Sequence, residues 1–341
     1  MFAYTYSRYG APEVLELTQV PKPTPKPSEV LVKIHATTVS AGDWRARSLT
    51  MPNGMALMGR LFFGITGPRK PILGTEFSGV VEAVGAEVTA YAPGDAVIGF
   101  PGASFGAHAE YIVMPEGGKL VPMPENLSFA EAASLPFGGT TAFDFLVNRA
   151  GIKAGEAVLI NGASGAVGSA CVQIAKHLGA HVTAVCSGKN ADLVRSLGAD
   201  EVIDYKQRDF AAEATLFDAV VDTVATAPLK RVRHVLRPRG RLVIIAGSTT
   251  DLLFGAVKAL FYRRKTIGGV ASEARDILQA VVDLAAEGQF QPVIDRCYGF
   301  DVMRAAHAHV DTGRKKGAVV VSLLPEALAN VPKDSPQQGA A

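Results

Sequence analysis

Residues 157–178 constrain the fold of this chain more than any other stretch. An apolar run at 157–161 ends in Asn161-Gly162-Ala163-Ser164-Gly165-Ala166-Val167-Gly168 and passes into apolar helical spacing that lasts to residue 178. A strand that turns through glycines into a helix is the first half of a parallel strand–helix–strand unit. The alternation then continues: strand at 181–186, helix at 191–197, strands at 202–204 and 219–222, helix at 229–236, strand at 241–246. Short apolar strands separated by helices predict a parallel sheet buried on both faces.

The rest of the chain reads differently. Up to about residue 125 it is strand and turn, with strands at 30–34, 79–84 and 96–99 and a proline-studded, extended run at 21–27. Ser128 with Glu131 three residues on is a capping box that opens a helix through residue 133, and a second helix is expected over 141–149. Helical spacing returns at 274–287, and 317–324 reads as a closing strand. With 341 residues the chain exceeds the ~150 usual for one core, so two domains are expected. The fold class is α/β, a doubly wound parallel sheet set within a second, β-rich domain.

Composition removes several function classes. Apolar residues at 48% against 19% charged exclude global disorder. A net charge of +2 gives no electrostatic reason to expect nucleic acid as a partner. No apolar run reaches the ~18 residues of a spanning helix, and no secretory leader is evident. Cys171, Cys186 and Cys297 lie far apart with no C-x-x-C spacing, which fits a reducing, cytoplasmic setting. The ending 325–341 is small and polar, and a flexible tail is expected there.

The glycine loop is the main chemical signal. Ala163 stands where a dinucleotide fingerprint has its first glycine, and Gly165 and Gly168 stand at the other two positions. Gly165 would admit a pyrophosphate to the backbone, Gly168 would let helix and strand pack closely, and the helix N-terminus would meet the phosphates with free N–H groups. The next strand ends Ala184-Val185-Cys186-Ser187-Gly188-Lys189, with no carboxylate to accept from ribose hydroxyls. A hydroxyl at Ser187 and a cation at Lys189 suit a 2′-phosphate instead, so NADP is the expected cofactor; the alternative for Lys189 is a solvated surface lysine.

Taken with Gly74-Thr75-Glu76-Phe77-Ser78-Gly79-Val80-Val81-Glu82-Ala83-Val84-Gly85, Gly94-Asp95-Ala96-Val97-Ile98-Gly99, Leu135-Pro136, Thr140-Thr141-Ala142 and Leu197-Gly198-Ala199-Asp200 through Asp204-Tyr205, these residues resemble the medium-chain dehydrogenase/reductase superfamily, in its zinc-lacking quinone oxidoreductase-like branch. The resemblance covers about residues 1–324. It implies a GroES-like substrate domain at 1–127 and 268–324 around a Rossmann NADP-binding domain at 128–267, with the active site in the cleft between them. It implies an NADPH-dependent oxidoreductase that transfers hydride to a small hydrophobic quinone or conjugated carbonyl. It assigns Ser164, Gly165, Ala166 and Val167 to the cofactor loop and Ser187, Lys189 and Tyr205 to the 2′-phosphate. It places Thr141 and the turn Ala246-Gly247-Ser248 on either side of the nicotinamide. Many relatives are dimers joined edge to edge through their Rossmann sheets, so a homodimer is expected, with the edge strand near 266–270.

Zinc-dependent relatives need thiolate and imidazole ligands. Here the first ligand position holds Ser40, the usual Gly-His-Glu is Gly74-Thr75-Glu76, and the four-cysteine lobe is missing. No metal is expected. His108 reads as a structural histidine, His307 and His309 as residues on different helix faces, Glu76 as a buried acid held by hydrogen bonds rather than a general acid, Asp95 as a turn residue, and Asp43 as the anchor of the loop bearing Ser40 and Trp44. Many quinone reductase relatives carry Asn where this chain has Ser40, and no tyrosine lies between Tyr9 and Tyr91 to act as a proton donor. Ser40 and Thr141 are therefore the polar groups expected near the substrate; where many relatives end with a basic residue that reaches the cofactor, either Lys316 substitutes from one turn earlier or the contact is lost. The apolar stretches 50–71 and 250–265 border a hydrophobic substrate or form a dimer interface. Alternative functions on the same fold are an alcohol or aldehyde dehydrogenase and a non-catalytic nucleotide-binding protein.

Overall fold

The computed structural model describes residues 1–51, 56–246 and 264–324. Strands β1 (Phe2–Thr5) and β2 (Glu16–Gln19) form a small antiparallel pair. Next come β3 (Glu29–Thr38), α1 (Ala41–Ser48), α2 (Ala56–Phe63), β4 (Phe77–Val84), β5 (Ala96–Gly99), β6 (Tyr111–Pro115) and β7 (Leu120–Pro122). Helices α3 (Phe129–Ala133) and α4 (Pro136–Phe143) lead into a seven-residue π-helical turn, Asp144–Ala150. The alternating region holds β8 (Ala157–Asn161), α5 (Ala166–His177), β9 (His181–Cys186), α6 (Ala191–Ser196), β10 (Glu201–Asp204), β11 (Phe217–Asp222), α7 (Leu229–Val232), β12 (Leu236–Ile244) and β13 (Lys265–Gly268). The chain closes with α8 (Arg275–Ala286), β14 (Ile294–Gly299), α9 (Met303–Asp311) and β15 (Ala318–Ser322).

The alternating region forms one six-stranded, all-parallel sheet in the order β10-β9-β8-β11-β12-β13. Counted along the chain, that is the doubly wound order whose direction reverses beside β8. The apolar runs are continuous because both faces are covered. Val158 and Ile160 of β8 pack in one core with α4, α5 and α8, while Leu159 packs in the other with Phe210, Leu229 and Leu236. Each such fully buried aliphatic side chain stabilises the fold by about 1.5–3 kcal/mol.

The second sheet takes strands from both ends of the chain, in the order β14-β15-β3-β4-β5-β7, with β6 also paired to β3. Residues 29–122 and 294–322 thus share one sheet, and the parallel sheet lies between them in sequence. Bonds cross between the two units: Lys119 Nζ to Glu273 Oε2 at 2.6 Å and Arg275 Nε to the Leu120 carbonyl at 3.2 Å. Among the described residues no helix is long and apolar enough to cross a membrane.

Two expectations need correction. The helix expected at 141–149 begins at Pro136, with the proline at its first position where no N–H is needed, and ends in the π-helical turn. The helix expected at 229–236 stops at Val232, and Leu236 already belongs to β12. That strand carries Pro238 and Gly240 in a register shift between the Phe217–Leu236 and Ala219–Arg241 pairs, with Arg239 at φ 65°. Part of the apolar stretch 50–71 is helix α2, which exposes Leu57, Met58, Leu61 and Phe62. The stretch 250–263 and the ending 325–341 lie outside the described residues.

Candidate active site

The site lies where the strand order reverses, at the C-terminal end of β8. Gly162, at φ 81°, turns the chain; its amide and that of Ala163 donate to the Val185 carbonyl at 3.1 and 3.0 Å, tying the loop to β9. Gly168 is required by contact: a Cβ there would sit 2.0 Å from the Gly162 carbonyl oxygen. Gly165 is different. A Cβ there would meet nothing nearer than that same oxygen at 3.6 Å, and Gly165 caps α5 with no side-chain acceptor. The first N–H groups of α5 are therefore left for an anion, beside open space. Asn190 donates to Ser164 Oγ at 2.9 Å, and its own Oδ1 is buried with no partner among the described residues. An orphaned acceptor beside a glycine cradle fits a dinucleotide with its ribose hydroxyls.

The polar rim expected for a 2′-phosphate is brought together by strand pairing. Asp204 pairs with Cys186, and Tyr205 N donates to the Cys186 carbonyl at 3.2 Å, which sets Tyr205 beside Ser187. The Ser187 residue is buried and its hydroxyl bonds to nothing among the described residues. Lys189 and Tyr205 are exposed. The expectation of a rim without carboxylate needs correction: Asp204 Oδ2 lies where a Cβ on Gly188 would be 2.6 Å away. The adjacent strand delivers an acid that β9 itself lacks.

On the opposite wall the two hydroxyls expected near the substrate keep their protons for the protein. Ser40 caps α1: its Oγ donates to Asp43 Oδ2 at 2.6 Å and accepts from Gly42 N and Asp43 N. Thr75 Oγ1 donates to Ser40 Oγ at 3.0 Å, so the two zinc-ligand positions of the zinc relatives bond to each other. Asp43 also accepts from Gly74 N at 2.8 Å and anchors the loop as the sequence suggests. Thr141 is half-buried on α4 and donates to the Phe137 carbonyl at 2.7 Å, which leaves its lone pairs free. Ala246 follows β12 beside Asp222; Gly247 and Ser248 lie outside the described residues. No three His, Cys, Asp or Glu side chains converge among the described residues in a way that could hold a metal ion.

Glu76 is a buried acid held by hydrogen bonds. Thr38 Oγ1 donates to one carboxylate oxygen and Phe137 N, in the first turn of α4, to the other at 2.6 Å. Burial pushes its carboxyl up to about 7, against the lowering effect of those two donors. His108 is buried and its Nε2 bonds the Thr38 carbonyl at 3.0 Å; His307 packs edge-on to it, while His309 turns away to Asp295.

Two cations escaped the sequence reading. Arg45, half-buried on α1, bonds to nothing among the described residues, and burial lowers its guanidinium. Lys315, rather than Lys316, is the lysine turned into the field of Glu76. Its Nζ donates to the Gly317 carbonyl at 2.6 Å, and Gly317 N in turn donates to Ser164 O at 3.0 Å in the glycine loop. Burial pulls its ammonium down to about 8, against Glu76 and Asp295.

Comparison with known proteins agrees with this architecture. A family model described as an alcohol dehydrogenase GroES-like domain matches residues 26–125, and one described as a zinc-binding dehydrogenase matches residues 197–321. The chain is 34% identical to a chloroplast envelope quinone oxidoreductase homolog of Arabidopsis thaliana, over 94% of this chain and 98% of the relative. It is 33% identical to a 2-methylene-furan-3-one reductase of Solanum lycopersicum, over 95% and 80%. It is 30% identical to the mitochondrial NAD(P)H oxidoreductase RTN4IP1 of Bos taurus, over 95% and 89%. The structure of a quinone oxidoreductase from Coxiella burnetii superposes with a TM-score of 0.83 at 28% identity, covering 95% of this chain and 99% of that one.

Proposed function

The chain belongs to the quinone oxidoreductase-like branch of the medium-chain dehydrogenase/reductase superfamily and is an oxidoreductase with a nicotinamide cofactor, and we propose that it reduces quinones or conjugated carbonyls with NADPH and without zinc. The observation that carries the reading is the rim of Ser187, Lys189 and Tyr205: a hydroxyl on a buried residue, with no partner among the described residues, beside an exposed ammonium and a phenol. Such a set suits a phosphate dianion.

The cofactor supplies the hydride when bound. The chain's own residues bind, orient and exclude water. Ser164 to Val167 offer amides and a helix N-terminus to the pyrophosphate. Thr141 offers lone pairs, so it serves as an acceptor toward the nicotinamide end, with Ala246, after β12, on the other side. Ser40 shapes the loop through its cap on α1 rather than giving up its proton. The hydroxyl-to-hydroxyl bond between Ser40 and Thr75 supports a reaction without zinc, since neither group is a thiolate or imidazole. The edge position of β13 supports a homodimer, and three free cysteines support a reducing, cytoplasmic setting.

Asp204 favours a second reading, in which its carboxylate accepts from ribose hydroxyls and NADH is the donor. Measuring kcat/KM for both cofactors with a quinone, an enone and an aldehyde decides between them. A preference for NADPH with quinone or enone is expected. A preference for NADH, or turnover of the aldehyde alone, would overturn the proposal, and metal analysis of the active protein tests the zinc clause.

A further inference from the structure

We propose that Lys315 is the general acid of the cleft, which protonates the substrate oxygen as hydride reaches the conjugated carbon, and that Glu76 is its positioning residue. The inference rests on the reductase reading and adds the proton donor which that reading leaves open.

Reduction places charge on a carbonyl oxygen, and the wall needs a donor with a proton to spare. Ser40 has given its proton to Asp43, Thr75 to Ser40 and Thr141 to Phe137 O. Arg45 has N–H bonds free among the described residues but a guanidinium that does not release a proton, whereas Lys315 can release one. It has three N–H bonds, one of which goes to Gly317 O at 2.6 Å, and it forms no ion pair among the described residues. Two N–H groups on a half-buried ammonium are left over, an arrangement that costs free energy unless a ligand meets them.

Position supports the role. Gly317 pairs with Gly165 across the seam where the returning chain touches the glycine loop. Glu76, whose field acts on Lys315, is bonded to Phe137 N one turn before Thr141 on α4. Lys315 thus stands between the cofactor loop and the wall assigned to the nicotinamide. The charged groups about it are Glu76, ahead of β4, and Asp295, on β14; Asp295 is shared with His309 of α9, and Asp43 of α1 acts on Glu76. Burial outweighs the two acids and leaves the amine near the working range of a general acid, about 8.

The step balances. Hydride adds to the electrophilic carbon, the π electrons move onto the oxygen, an Nζ–H bond of Lys315 breaks as an O–H bond forms, and the neutral amine regains its proton from water.

The test compares Lys315→Met, Lys315→Arg and Glu76→Gln with the parent protein. Activity should be present below about pH 8 and lost above it, because the acid must be protonated. Lys315→Met should lower kcat about 100-fold and abolish the alkaline limb, with the NADPH Kd from fluorescence held within about threefold. Lys315→Arg keeps the charge but not a transferable proton, and should not restore kcat. Glu76→Gln should move the limb to lower pH. Independently of turnover, the acetylation rate of Lys315, read by mass spectrometry against pH, should report an amine near 8. An ordinary surface-lysine titration, full rescue by arginine, or a loss confined to NADPH binding would overturn the assignment. Failure of the parent protein to reduce any quinone or enone would instead sink the reductase reading, with the labelling result still judging Lys315.

Discussion

Thr75 donates a hydrogen bond of 3.0 Å to Ser40, whose own hydroxyl donates to Asp43 Oδ2 at 2.6 Å. Two positions that hold metal ligands in zinc-dependent relatives are joined here by hydroxyl chemistry that fixes the start of α1. Ser40→Ala removes the cap, takes one of its donors from Asp43, which keeps the backbone N–H groups of Ser40 and Gly74, and leaves the Thr75 hydroxyl without its acceptor. A loss of about 1–2 kcal/mol in urea unfolding is expected, with kcat changed far less than by loss of a proton donor. A collapse of kcat at unchanged stability would return Ser40 to the chemistry.

The two glycines of the cofactor loop should respond in opposite ways. Gly168→Ala forces a Cβ to within 2.0 Å of the Gly162 oxygen, with backbone on both sides and nothing free to yield. Stability of the cofactor-free protein should fall by about 2–3 kcal/mol. At Gly165→Ala the backbone, φ −77°, suits any residue and the nearest atom is 3.6 Å off. The melting temperature should hold while the NADPH Kd rises at least tenfold, because the methyl group enters the phosphate's space. Equal effects on stability would refute the distinction.

Lys189 should govern cofactor choice and little else. It is exposed and forms no ion pair among the described residues, so Lys189→Glu costs the fold almost nothing. Placing an acid near Asp204 repels a 2′-phosphate and offers a ribose acceptor. The ratio of kcat/KM for NADPH over NADH should fall by about tenfold or more. An unchanged ratio would make Lys189 a solvated surface lysine.

Much of the fold was legible because the residues meant one thing locally. Strand β9 was read with both its ends correct, since its branched apolar residues sit on a sheet covered on both faces. Helix α4 begins five residues ahead of the expected 141, and the pair Gly138-Gly139, unfavourable in a helix by propensity, falls in those residues. Both glycines are close contacts: a Cβ on Gly138 would lie 2.7 Å from Ala166 O, and one on Gly139 would lie 2.5 Å from Val281. In β12, Pro238 and Gly240 are residues that disfavour a strand interior, and a register shift absorbs them. At the site, the glycine loop follows from local spacing. Lys315 and Asp204 do not, because each acquires meaning from a partner distant in sequence, Glu76 in one case and Gly188 in the other.

Glu76 links stability to pH with a defined sign. Burial holds its proton up to about 7 in the folded protein, against an ordinary value of 4.5. The folded state therefore binds a proton that the unfolded chain releases, and stability falls as pH rises through that window. Its contribution is complete below the unfolded value and is lost by about pH 7. At about 1.4 kcal/mol per pH unit, the loss is at most about 3.5 kcal/mol. Glu76→Gln cannot titrate, so its stability deficit relative to the parent should be largest near pH 5 and shrink by pH 8. Taking the difference between the two proteins cancels the titrating groups that lie outside the field of Glu76. Urea unfolding at both pH values checks it, and a deficit that does not change with pH would mean that Glu76 is charged in the folded state throughout.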